Sequence, residues 1–258
     1  MLCREIMDVI ERTYPKHAAL EWDNVGLIVG RTEKEVSKIY VALDATDEVI
    51  RAAAESGADM LITHHPLIFS PLKKITDEEF IGSRVVNLLQ HDISYYAMHT
   101  NYDVLGMAKL SGEILGLINE DVFEVTDEEN QEGIGRIGDL KCEMTLEECC
   151  ELVKEVFHLD TVKLFGDKNK KVRKAAISPG SGKRMSSVAL KKGVEVLITG
   201  DIDHHEGIDA VAQGLAIIDA GHYGLEHIFI EDMANYLENC LQGVTVDRVK
   251  VIHPFQVI

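Results

Sequence analysis

Two stretches decide the fold: KIYVALDATDEVIRAAAESGADMLITHH, residues 38–65, and KAAISPGSGKRMSSVALKKGVEVLITGD, residues 174–201. They align at a constant offset of 136. Gly57 matches Gly193, and Leu61-Ile62-Thr63 matches Leu197-Ile198-Thr199. The same offset pairs Val29-Gly30 with Phe165-Gly166. A fixed offset between similar segments is the mark of an internal repeat. Each copy predicts a short strand (Ile39–Leu43; Ala175–Ile177), a loop, and a helix ending at a glycine suited to a left-handed cap. A run almost without polar residues follows (59–63; 194–199), as expected of a strand buried on both faces.

The pattern continues outward from this unit. Upstream, each half has a helix and a strand: 2–13 then 27–29, and 146–157 then 162–165. Downstream, each has a strand (93–98; 215–218) and a helix (109–115; 225–241). Alternating strands and helices predict an α/β protein: two similar layered α/β domains related by internal duplication, with a metal site in the cleft between them. The first repeat is placed at 1–123 and the second at 133–258, joined by the acidic linker 124–132. The pattern does not say which half the last helix joins.

Bulk composition narrows the function. The chain has 258 residues and a formal charge of −18, which disfavours nucleic acid as a partner and suits cations, although solubility alone also explains it. No apolar run approaches the roughly 20 residues needed to cross a bilayer, and residues 1–15 read as an amphipathic helix, not a signal peptide. Five cysteines without C-x-x-C spacing indicate reduced thiols and a cytoplasmic location.

Ligands collect beyond the carboxyl ends of strands in open α/β sheets. His64 and His65 stand directly after the strand 60–63, and Pro66 holds His65 extended. Neighbouring extended residues point in different directions, so each imidazole can serve a different ion. The next strand in each half runs into His-x-x-x-carboxylate: His99 to Asp103, and His222 to Glu226. Mixed imidazole and carboxylate donors suit zinc, iron, manganese, cobalt or nickel, and a carboxylate can bridge two ions about 3.5–4 Å apart. For His222 and Glu226 a capping role in the last helix is an equal reading of the pair taken alone. His17, His91, His158 and His253 are read as surface or hydrogen-bonding residues.

The motifs EWDNVG (21–26), ITHHP (62–66), HTNYD (99–103), TGDI (199–202) and GHYGLE (221–226) resemble the Nif-three-like dinuclear metal centre family, whose members are labelled GTP cyclohydrolase 1 type 2 homologues. The resemblance spans nearly the whole chain. It implies two divalent metal ions on His64, His65, Asp103, His222 and Glu226, with Glu226 as a bridge, and a toroidal homohexamer. His99 is assigned a catalytic or ligand-orienting role. Asp23 and Asn24 either tie down the loop before the first strand or serve plain turn chemistry.

Two other segments invite a reading. The loop 178–184 follows a strand and precedes a helix; it reads as an anion cradle or as a tight turn, and it departs from a P-loop. The stretch Asp201–Glu206 looks like a metal cluster, but Gly200-Asp201 stands where the first copy has its His pair, so loop or cap roles are expected for Asp201 and His204. His205 is a candidate for the cavity. Two functions follow: a metal-dependent hydrolase of a small molecule, or a non-catalytic metal-binding regulatory or scaffold oligomer.

Overall fold

The computed structural model describes residues 1–256. In chain order the elements are α1 (Cys3–Thr13), β1 (Gly26–Val29), β2 (Lys38–Ala42), α2 (Asp47–Glu55), β3 (Met60–Thr63), α3 (Phe80–Gln90), β4 (Ser94–Ala97) and α4 (Thr100–Tyr102). A π-helical turn (Asp103–Met107) leads to α5 (Ala108–Leu115), β5 (Ile118–Asp127), β6 (Glu132–Thr145), α6 (Leu146–Val156), β7 (Lys163–Phe165), β8 (Lys171–Ser181) and α7 (Met185–Lys191). Then come β9 (Val196–Gly200), α8 (His204–Ala212), β10 (Ala216–Asp219), α9 (His222–Glu226), α10 (Ile228–Cys240) and β11 (Thr245–Arg248). These form two compact units: Met1–Tyr102 with Phe229–Val251, and Asp103–Ile228 with 252–256.

The first unit holds a five-stranded sheet in the order β1-β4-β3-β2-β11. All neighbours run parallel except β1, which is antiparallel to β4 at one edge. Every residue of β3 and β4 is buried, as expected of central strands covered on both faces. Ile50 and Ala53 of α2 join Val85 and Leu88 of α3 in one cluster with Leu61 and Tyr95 of the sheet. The last long helix, α10, belongs to this unit. Its Tyr236 hydroxyl donates to the Val9 carbonyl at 2.9 Å and its ring packs edge-on to Tyr14 at 5.5 Å.

The second unit holds six strands in the order β5-β6-β8-β9-β10-β7. Strands β8, β9 and β10 are parallel, while β7 and the β5–β6 hairpin run antiparallel to their neighbours. Ala176, Leu197 and Ile217 pack with Ala189, Val194 and Ala210. Residues 124–132, expected as a linker between halves, are instead the tip of this hairpin: Asp127 Oδ1 accepts from the backbone of Glu129 and Asn130 at 3.1 Å. The units divide at 102/103 and 228/229. An exposed hairpin tip needs no apolar face, so its composition matches that of a linker.

The two sheets share a four-strand order, β1-β4-β3-β2 and β7-β10-β9-β8, with one antiparallel and two parallel pairings in the same sequence. Register agrees as well: Ile39 pairs with Met60 and Ala175 with Val196. Gly57 and Gly193 take positive φ of 73° and 66° just past α2 and α7, as expected of left-handed caps. All five cysteines are free thiols, and burial, with Cys150 adding to it, pushes Cys149 up to about 12, so it packs as an inert core residue. Among the described residues no helix is long and apolar enough to cross a membrane.

Candidate metal centre

The strand ends of the first sheet gather three histidines. His64 is fully buried, and its Nδ1 lies 2.8 Å from the Met98 carbonyl, just past β4. A carbonyl only accepts, so Nδ1 carries the hydrogen and Nε2 presents the lone pair. His65 Nδ1 lies 2.7 Å from Asp44 Oδ1, two residues past β2, and the same logic leaves Nε2 as the nitrogen that could take a metal. His99 Nδ1 donates to Asp23 Oδ1 at 2.9 Å. The ring nitrogens offered by His64, His65 and His99 lie within 4.8 Å of one another.

Buried hydrogen bonds hold these rings. Tyr95, on β4, is fully buried; its hydroxyl meets Thr63 Oγ1, the His65 carbonyl and the Leu67 amide, each at 2.8 Å. That hydroxyl fixes the turn carrying the His pair and Pro66. Asp23 is the anchor for His99. Its Oδ2 accepts from the Thr100 amide at 2.9 Å and from the Thr100 hydroxyl at 2.5 Å. Burial would raise the Asp23 carboxyl, but hydrogen bonds from His99 and Thr100 outweigh it and hold the group at about 2. Asn24 Nδ2 reaches the Ile68 carbonyl at 2.7 Å, so the loop before β1 is latched to the loop after the His pair. The tying role expected of Asp23 and Asn24 is what the structure shows.

The second unit carries the remaining candidates. His222 opens α9 just past β10, and its Nε2 lies 3.0 Å from Glu226 Oε2, one helical turn on. Glu226 is 3% exposed. Its place depends on Gly180, at φ +80°, where a Cβ would stand 2.5 Å from Glu226 Oε1. A Cβ on Gly200 would stand 2.5 Å from the His222 amide. Two glycines of the 178–200 region therefore make the space that α9 fills. Asp103 is half-buried and begins the π-helical turn, an irregularity that re-aims side chains and recurs at functional sites.

Asp201 holds the His222 ring. Its Oδ2 accepts from His222 Nδ1 at 2.7 Å, the role Asp44 plays for His65. Asp201 itself sits at φ +56°. Histidines 64, 65, 99 and 222 thus all have Nδ1 against an oxygen acceptor. His204 and His205 are exposed on the first turn of α8, whose cap is Asp203. The 178–184 loop is taken up by β8 and by the Arg184 amide donating to Glu206 at 2.9 Å. His91 bonds the Asn87 carbonyl at 2.9 Å at the end of α3, a surface role as expected.

Known proteins resemble this chain over most of its length. The family model of Duf34/NIF3 (NGG1p interacting factor 3) matches residues 1–254. A protein of Clostridium perfringens named GTP cyclohydrolase 1 type 2 homolog is 37% identical over 88% of this chain and 87% of its own. One of the same name from Clostridium acetobutylicum is 35% identical over 95% and 92%. A crystal structure titled as a Bacillus cereus protein related to NIF3 superposes with a TM-score of 0.91 at 26% identity, covering 100% and 99% of the two chains. The chain belongs to the Duf34/NIF3 family.

Proposed function

We propose that the chain is a metal-dependent hydrolase of a small molecule, with two divalent transition-metal ions on His64, His65, Asp103, His222 and Glu226. One observation carries the reading: the three imidazoles in this set each commit Nδ1 to an oxygen acceptor, the arrangement that leaves Nε2 for a metal. The donors fit a metal of the zinc, iron, manganese, cobalt or nickel type. Glu226, buried beside His222, would be the bridging ligand that the resemblance implies. The shared strand order and register support an internal duplication, with a His-x-x-x-carboxylate motif after the corresponding strand of each copy.

When bound, the ions would supply Lewis acidity and activate water. The chain's own residues do the positioning. Asp44 and Asp201 keep His65 and His222 in one tautomer. His99, poised on Asp23, moves a proton at its Nε2 during turnover. The toroidal homohexamer implied by the resemblance belongs to the same proposal and is tested by light scattering.

Elemental analysis of protein purified without added metal is expected to find about two ions per chain. Loss of metal in His64→Ala and in Glu226→Ala supports the site; full retention in both overturns it. Turnover of nucleotides, phosphodiesters or amides that vanishes in His65→Ala supports the hydrolase. Tight metal binding with no turnover across that panel would favour the regulatory or scaffold reading.

A further inference from the structure

Trp22 and Phe69 are large aromatic residues left 62% and 56% exposed. Exposure of single apolar side chains is ordinary. These two differ in where they sit. Both rings rest against the same imidazole, His99, with centroids 5.7 Å and 5.8 Å away and planes turned by 74° and 85°. His99 in turn belongs to the cluster with His64 and His65.

Their backbones are held. Trp22 precedes Asp23, whose buried carboxylate takes hydrogen bonds from His99 and Thr100. Phe69 follows Ile68, whose carbonyl accepts from Asn24. One latch therefore holds the backbone beside both aromatic residues relative to His99. Aromatic faces held at the edge of a polar cluster gain by stacking with a flat π-system, beyond the gain from burying a saturated ring of the same size.

We propose that Trp22 and Phe69 form a recognition subsite for a flat aromatic or heteroaromatic ring, carried by the ligand whose polar end reaches the histidine cluster. The inference rests on the metal-centre reading for the polar end only. Such a ligand places its ring on Trp22 and Phe69 and its reacting group beyond His99.

The test uses the full metal-loaded chain and two probes of equal charge and similar size, benzoate and cyclohexanecarboxylate. Both offer the same carboxylate; one offers a flat ring. Calorimetric titration is expected to show benzoate binding roughly tenfold tighter, from stacking on two rings. Trp22 is the only tryptophan in the chain, so benzoate is also expected to change its emission while cyclohexanecarboxylate changes it less. Trp22→Leu and Phe69→Leu keep apolar bulk and remove the rings; each is expected to reduce the preference severalfold with metal content retained.

Equal affinity for the two probes overturns the subsite. So does a preference that survives both substitutions, or no binding of either probe at millimolar concentration. A change in oligomeric mass with no change in probe affinity would assign the two rings to an interface and overturn it as well. Metal content of the same samples separates the two readings. A chain without metal that keeps the ring preference overturns the metal centre alone; a metal-loaded chain without the preference overturns the subsite alone.

Discussion

An imidazole offers a metal one nitrogen, and the other decides how well it does so. Asp44 and Asp201 each lie 21 residues before the histidine they orient, beyond the end of the preceding parallel strand. Asp44→Asn and Asp201→Asn are expected to weaken metal binding by about 10- to 100-fold with the fold intact, read by competition with a chelator. Unchanged affinity in both would remove the carboxylates from the site. Tyr95→Phe acts differently, because it strands the Leu67 amide and one contact of the His65 carbonyl in a buried turn. It is expected to cost about 2 kcal/mol in urea unfolding and to weaken metal binding as well. His64 and His65 are legible in the sequence because they are consecutive and close an apolar run. Asp44, Asp201 and Tyr95 are not, since only strand pairing brings them to their partners.

The elements repeat down to single hydrogen bonds. Asp59, just before β3, accepts from the Ser37 and Lys38 amides at 2.8 Å and 3.2 Å; Glu195, just before β9, accepts from the Arg173 and Lys174 amides at 2.7 Å and 2.9 Å. The four partners are related by the same offset of 136 that relates the two stretches of sequence. Lys38 and Lys174 even cap matching helix ends, through the Ser56 and Lys192 carbonyls. Partial burial alone would raise both carboxyls, but the amide donors outweigh it and lower them. A folded value below the unfolded one means that the stabilisation is complete above the ordinary carboxylate range near 4 and fades as pH falls through the lowered folded value. Asp59→Asn and Glu195→Gln are each expected to cost about 1 kcal/mol at pH 7, and that deficit should shrink at pH 3. Denaturant titrations at both pH values check this; a deficit independent of pH would assign the effect to packing. This part of the fold was legible because buried strands and glycine caps write themselves into local composition. The hairpin tip at 124–132 was not, because an exposed turn and a linker have the same one.

For the whole molecule the question is whether the proposed ligands act together or unit by unit. The last helix illustrates why this level was unreadable: the apolar face of α10 shows that it packs, but not that its partners are Tyr14 and Val9, more than 200 residues away. Residues 229–251 return to the first unit, so neither unit is one continuous piece of chain. His64 and His65 belong to the first unit, and Asp103, His222 and Glu226 to the second. Ligands that bind only the folded state stabilise it by mass action, about 4 kcal/mol at a thousandfold excess over the dissociation constant. For a chain of this size that is on the order of 10 °C in melting temperature. Chelation is therefore expected to lower the melting temperature of the purified protein by about that amount. If the ions are shared, His64→Ala and Glu226→Ala should each abolish the response to chelator, although the two residues lie in different units. Were the ions held within one unit, the substitution in the other would leave the chelator response intact. The melting curves of the two variants, with and without chelator, thus separate a shared centre from one that a single unit holds.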